Sequence, residues 1–245
     1  MIDLAGLAAA PRLLVALDFD GTLAPIVEVP SDARALPEAL TAIRGLAALP
    51  ETTVALVSGR ALADLAALSG LGSPVRLVGS HGFEPDDGAV PLDDDQRARL
   101  ARLTEEVEAL VEGTPGVRVD TKPAGMAVHV RAAAPEVGAR LLDALRAGPA
   151  AQPGILATPG KAVLDLAVTE MNKGEAIDRL RGDAAVFFAG DDVTDETAFA
   201  RLRPGDVGVK VGDGETAAGY RVATPTELAE VLHELVAARA AASPA

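Results

Sequence analysis

The chain has 245 residues, 49% of them hydrophobic, enough for one large domain or for a core with a smaller second domain. A formal net charge of −14 excludes a general nucleic-acid binder, because phosphate backbones are held by clustered Lys and Arg; an anionic ligand would need local positive charge from a lysine, an arginine or a metal ion. The absence of Cys excludes disulfides and thiolate metal sites and fits a reducing cytoplasm.

In chain order, the opening "MIDLAGLAAAP" carries Asp3 and no basic region, so it reads as a lead-in to the first strand rather than a signal peptide. No run approaches the roughly 18–20 apolar residues that cross a bilayer, and the expectation is a soluble, cytoplasmic monomer with no membrane partner. "LLVAL", "TVALV" and "VRLVG" are short apolar runs that end in polar or glycine-containing turns, as strands buried on both faces of a parallel sheet do. Between them, Leu36, Leu40, Ile43, Leu46 and Leu49, and then Leu62, Leu65 and Leu68, follow a helical spacing.

The middle of the chain changes pattern. Leu100, Leu103, Val107, Leu110 and Val111 mark a helix, followed by the strand-like "VRVDT" and "MAVHVR". A second helix around Val137, Leu141, Leu142 and Leu145 leads to strands near "GILAT" and "KAVLDLAV". Helix, strand, strand, twice over, predicts a small α+β (αββαββ) module over 84–168, inserted into a doubly wound α/β core made of 1–83 and 169–245. The core resumes with a helix near Asn172, the strands "AVFFA" and "VGVKV", and a last helix whose start at Thr224, Pro225 and Glu227 predicts a capping box.

Open parallel sheets bind ligands beyond the carboxyl ends of their strands. Asp18, Ser58, Ser80 and Asp191 each follow such an end, so one crevice can collect them. Asp18 and Asp20 in "DFDGT" point to one side of an extended segment while Phe19 points into packing. Gly21 and Thr22 then turn the chain and expose backbone N–H groups to an anion. Two such close carboxylates repel unless a cation joins them, and Asp191, Asp192 and Asp195 of "GDDVTDE" bring more oxygen ligands of the kind that suits Mg²⁺. Asp195 is equally well placed to cap the following helix. Ser58 has an alternative as a turn residue, and Arg60 as an exposed surface arginine. Lys173, at a helix start where the dipole disfavours it, points to an anionic partner.

"DFDGT", "SGR", the lysine of "NKG" and "GDDVTDE", in that order, resemble the four motifs of the haloacid dehalogenase (HAD) superfamily of phosphohydrolases. The forms "LDFDGTLAPI", "VSGR", "GSHG", "AVHVR" and "GDDVTDETAF" are similar to those of its trehalose-6-phosphate phosphatase family. The resemblance implies a HAD-like core with a C2-type cap domain. It implies Asp18 as nucleophile, Asp20 as general acid and base, and Mg²⁺ held by Asp18, the backbone carbonyl of Asp20 and Asp191, with Asp195 in or behind that set. Ser58 and Lys173 would hold phosphoryl oxygens, and Lys122 of "DTKPAGMAVHVR" would recognise sugar hydroxyls. His81, His129, Arg131 and Arg60 are further candidates for substrate contact, the cap pair having an alternative as a solvated strand face. Asp165 and Ala167-Val168 depart from the family's Glu and Arg-Pro. The expected substrate is therefore trehalose 6-phosphate, with another disaccharide or pseudo-disaccharide phosphate as the alternative and a non-catalytic sugar-phosphate sensor as the reading from another class.

Overall fold

The computed structural model describes residues 2–88, 92–169 and 172–242, in two compact units: Met1–Gly88 with Met171–Ala245, and Ala89–Glu170. The first unit opens with a short helix α1 (Ala5–Ala8), then β1 (Leu13–Leu17), α2 (Pro37–Ala47), β2 (Thr52–Val57), α3 (Leu62–Ser69), β3 (Arg76–Gly79) and β4 (Glu84–Pro85). The second unit holds α4 (Asp94–Val111), β5 (Arg118–Lys122), β6 (Gly125–His129), α5 (Pro135–Ala147), β7 (Leu156–Gly160) and β8 (Val163–Ala167). The chain then returns to the first unit with α6 (Lys173–Arg181), β9 (Ala185–Gly190), α7 (Glu196–Phe199), β10 (Val207–Val211), β11 (Tyr220–Val222) and α8 (Pro225–Ala242).

The seven core strands lie in the order β11-β10-β9-β1-β2-β3-β4, all neighbours parallel except the β3/β4 edge. β1 is central because every one of its five residues is apolar and can be buried on either side. Leu13, Val15 and Leu17 enter a cluster with Ile43 and Leu46 of α2 and Leu228, Leu232 and Leu235 of α8. Leu14 and Ala16 enter a second cluster with Ile177 of α6 and Phe199 of α7, where Phe188 and Phe199 meet edge to face at 5.1 Å between centroids. Helices thus cover both faces, and each fully buried Leu or Val adds about 1.5–3 kcal/mol relative to exposure. Two arginines are buried with their polar partners. Arg239 of α8 donates to the Ala8 carbonyl, and Arg181 pairs with Asp206 at 2.7 Å.

Three details add to or differ from the sequence expectations. Glu84 and Pro85, expected in the insertion, pair antiparallel with β3 and so belong to the core sheet. The opening segment is a helical turn, with Leu7 buried against the core. Thr224 does accept the Glu227 N–H at 3.2 Å, but the Glu227 carboxylate returns to the N–H of Ala223 rather than that of Thr224. Capping boxes with both bonds lie instead at α4, where Asp93 and Gln96 bond reciprocally, and at the short turn Val193–Asp195, between Asp192 and Asp195.

In the second unit the sheet is antiparallel, ordered β5-β6-β8-β7. Met126 and Val128 of β6 stand beside Leu166 and Leu164 of β8 on one buried face, and α4 packs on β6 and α5. Asp120, Ala127 and Asp165 are cross-strand neighbours on the opposite face, a division of apolar and polar faces that period-two alternation produces. Among the described residues, no helix is long and apolar enough to cross a membrane.

Candidate active site

β1 runs between β2 and β9, and the Asp18 N–H extends its ladder by donating to the Ala189 carbonyl at 3.0 Å. Asp18 is therefore a buried side chain at the carboxyl edge of the central strand, while Phe19 turns away into the core. Gly21 has φ +77°, and a Cβ there would lie 1.9 Å from Asp191 Oδ2, so both conformation and space require glycine. Its N–H donates to the Ala24 carbonyl at 2.7 Å. That bond uses the Gly21 N–H within the turn, so of the two residues expected to offer N–H groups to an anion, Gly21 spends its own on Ala24.

Asp18, Asp191 and Asp195 bring carboxylate oxygens within 4.8 Å of one another. Lys173, at the first position of α6, donates from Nζ to Asp18 Oδ1 at 2.6 Å and to Asp195 Oδ1 at 2.7 Å. The helix dipole disfavours a lysine at this end, and the two carboxylates it meets explain its place. Asp195 Oδ2 accepts the N–H groups of Asp191 and Asp192 at 3.1 and 3.0 Å. Both Asp195 oxygens are thus engaged, which suits bracing the loop behind Asp18 and Asp191. A Cβ at Gly190 would meet Asp195 Cγ at 2.3 Å, so the chain passes this carboxylate only as glycine. The buried Thr22 hydroxyl lies 3.3 Å from Asp18 Oδ2 and 3.4 Å from Asp191 Oδ1 and can give its one proton to either.

Burial pushes the Asp18 carboxyl well above its ordinary range; Lys173 opposes the rise, and the charges of Asp195 and Asp191 add to it. Burial and the adjacent Asp195 push Asp191 up to about 6. Burial works against the charge on Lys173, but Asp18 and Asp195 outweigh it and raise its pKa. With all three carboxylates ionised, one ammonium would leave two negative charges to be offset. An all-oxygen set with that deficit fits a hard divalent cation such as Mg²⁺.

Asp20 lies outside that cluster. Its carboxylate accepts two hydrogen bonds from Arg60, from Nε at 2.6 Å and from a terminal nitrogen at 2.7 Å, leaving its carbonyl as the only candidate metal ligand. Arg60 also donates to the Pro30 carbonyl at 2.8 Å and lies over the Phe19 ring, 5.8 Å from its centroid. Ser58 is buried, and its hydroxyl oxygen accepts the Arg60 N–H at 3.2 Å. The turn at 58–60 is clamped by the next one: Ser80 N–H donates to the Arg60 carbonyl at 2.7 Å and His81 N–H to that of Ser58 at 2.9 Å. Ser80 and His81 both hold positive φ, 49° and 56°. Such strain in non-glycine residues persists only where surroundings enforce it, as functional sites commonly do.

In the second unit, Lys122 forms an ion pair with Asp165 and is mostly buried. The small residues Gly125 and Ala127 on the intervening β6 leave Lys122 room to reach across. His129 Nε2 lies 3.1 Å from Asp120, which also pairs with Arg118 at 2.8 Å. Burial lowers the His129 pKa, with Asp120 pulling the other way. Arg131 falls past the end of β6 in an exposed turn, so the expected strand alternation of His129 and Arg131 does not hold; Val130, paired to the Ala162 carbonyl, ends the ladder.

Sequence reasoning passed over Lys210, Glu84 and Glu196. Lys210 donates from Nζ to the Asp191 carbonyl at 2.6 Å, and Glu84 accepts the Leu62 N–H at 2.6 Å at the start of α3. A lysine inside the apolar "VGVKV" was the available signal for the first, since a charge in a strand buried on both faces needs a partner.

The family model for trehalose-phosphatase matches residues 16–226. The chain is 34% identical over 239 residues to the trehalose-phosphate phosphatase of Mycobacterium marinum, covering 90% of this chain and 60% of that protein. It is 36% identical over 243 residues to the Mycobacterium avium protein of the same name, covering 90% and 61%. It thus spans about three fifths of the length of these curated relatives. The crystal structure of a trehalose-6-phosphate phosphatase related protein superposes with a TM-score of 0.77 at 27% identity, covering 94% of this chain and all of that one. With the motif residues of the core gathered at one sheet edge and the family model spanning most of the sequence, the chain belongs to the trehalose-phosphatase family.

Proposed function

We propose that the protein is a phosphoric monoester hydrolase that converts trehalose 6-phosphate to trehalose and phosphate, using Mg²⁺ and an aspartyl-phosphate intermediate. The observation that carries the reading is Asp18: a buried carboxylate at the end of the central strand, gripped by Lys173 and flanked by Asp191 and Asp195. An Asp18 oxygen attacks phosphorus, and the bond from phosphorus to the sugar oxygen breaks while Asp20 protonates that oxygen. Asp20, now a carboxylate, takes a proton from the water whose oxygen attacks the aspartyl-phosphate, and phosphate leaves with Asp18 restored. Lys173 and Ser58 steady the phosphoryl oxygens, which the loose transition state of phosphoryl transfer rewards. Bound Mg²⁺ supplies the charge neutralisation that this acidic cluster otherwise lacks. Asp18, Asp191 and the Asp20 carbonyl would hold it, with Asp195 bracing the Asp191 loop. The Arg60 fork aims Asp20, a positioning role that replaces direct substrate contact in our reading.

Sugar selection falls to Lys122, with Asp165, His81, His129 and Arg131 as further candidates. Asp165 favours a second reading within the same chemistry: it is one methylene shorter than the family's Glu and is already paired with Lys122, so another disaccharide phosphate is the rival substrate. A non-catalytic sensor has no use for both Asp18 and Asp20, nor for an arginine fork on the second. Phosphate release from trehalose 6-phosphate beside a panel of sugar phosphates, with Mg²⁺ and with chelator, tests all three. Selective, Mg²⁺-dependent release supports the proposal, release from another sugar moves the substrate, and none from any sugar leaves the sensor.

A further inference from the structure

Lys210 is a buried lysine on β10, opposite Gly190 in the parallel pairing with β9. Its Nζ donates to the Asp191 carbonyl at 2.6 Å. The same peptide unit carries the Asp192 N–H, which donates to Asp195 Oδ2 at 3.0 Å. Lys210 and Asp195 thus grip the two ends of one peptide plane, while Asp195 also accepts the Asp191 N–H at 3.1 Å. With the peptides on both sides of Asp191 held, its backbone cannot rotate, and only its own side-chain torsions remain. Glu196 keeps Lys210 in place by charge. Its Oε1 lies 3.7 Å from Nζ, is buried and accepts no hydrogen bond, while Oε2 accepts the Ala217 N–H at 2.8 Å.

We propose that Lys210 is a positioning residue: by fixing the Asp191 peptide it sets the angle at which the Asp191 carboxylate meets a cation beside Asp18. The inference rests on the metal reading above and adds to it a residue that touches neither cation nor substrate. Groups that orient metal ligands from behind are commonly worth about 10–100-fold in metal affinity. Positioning and simple charge predict opposite signs. As a mere positive charge near a cation site, Lys210 would weaken binding, and its removal would tighten it. As a positioning group, its removal loosens binding.

The test is calorimetric titration of Mg²⁺ into the full chain, wild type against Lys210→Met and Lys210→Arg, with the fold checked by circular dichroism in chelator. The expected result is Mg²⁺ affinity about 10-fold or more weaker in Lys210→Met, with Lys210→Arg, which can still donate to the carbonyl, within about threefold of wild type. Equal or tighter binding by Lys210→Met overturns the proposal while leaving the metal reading standing. No binding by the wild type overturns both. Should Lys210→Met fail to fold, Lys210→Leu, which likewise has no N–H to donate, carries the same expectation and the same overturning result.

Discussion

Arg60 and Asp20, forty residues apart in sequence, form a two-bond fork in which each carboxylate oxygen has its own N–H donor. A lysine is a point donor and cannot reproduce that planar match. Arg60→Lys is therefore expected to lower kcat by about 10²-fold, the scale on which misplacement of a catalytic group acts, with KM changed much less. Steady-state phosphate release measures both, and an unchanged kcat would remove Arg60 from the positioning of Asp20.

Asp18→Asn keeps the side-chain shape and loses the nucleophile, so turnover should vanish while the fold remains. The wild-type carboxyl is raised by burial, so the neutral amide should leave thermal stability in chelator equal to or above wild type at neutral pH. Any hydrolysis by the variant above background would sink the aspartyl-phosphate route.

The Asp191 carboxyl is pushed up to about 6 in the metal-free protein, above its ordinary 3.8. A raised carboxyl favours the fold below its unfolded pKa, and that contribution is lost as pH rises through about 6. Protons and Mg²⁺ therefore compete for Asp191. The rise in melting temperature on adding Mg²⁺ should shrink steadily from pH 7.5 to pH 5. A shift of constant size across that window would mean that Asp191 does not hold the cation.

Gly21→Ala forces a Cβ to within 1.9 Å of Asp191 Oδ2 at φ +77°. The strained backbone should cost about 1–3 kcal/mol in chemical denaturation. The displaced Asp191 should remove most Mg²⁺ binding as well. A variant with wild-type Mg²⁺ affinity would show that this turn and Asp191 are less tightly fitted than the geometry requires.

Lys122→Ala removes the ammonium that pairs with Asp165 in the second unit. If Lys122 reads the sugar, kcat/KM for the sugar phosphate should fall by about 10–100-fold, the worth of a charged hydrogen bond, with Mg²⁺ affinity untouched. Equal losses on a small phosphate ester lacking the sugar would assign Lys122 to the stability of its unit instead.

The doubly wound core was legible in the linear pattern because a strand buried on both faces must be apolar throughout, as "LLVAL" is, and helical periodicity between such runs leaves few topologies open. The same logic located Asp18 and Asp191, since polar residues that abruptly end apolar strands collect at one sheet edge, and Lys173 stood out as a lysine at a helix start where the dipole disfavours it. Long-range side-chain pairing left no periodic trace. Whether Asp20 turns to a metal or to Arg60, whether the Gly21 N–H is open or spent on Ala24, and which atom Lys210 serves depend on distances between segments far apart in the chain. Local propensity carries no information about such meetings; they are settled by the close packing of distant segments at the sheet edge, where Gly21 and Gly190 pass Asp191 and Asp195 too closely for any Cβ.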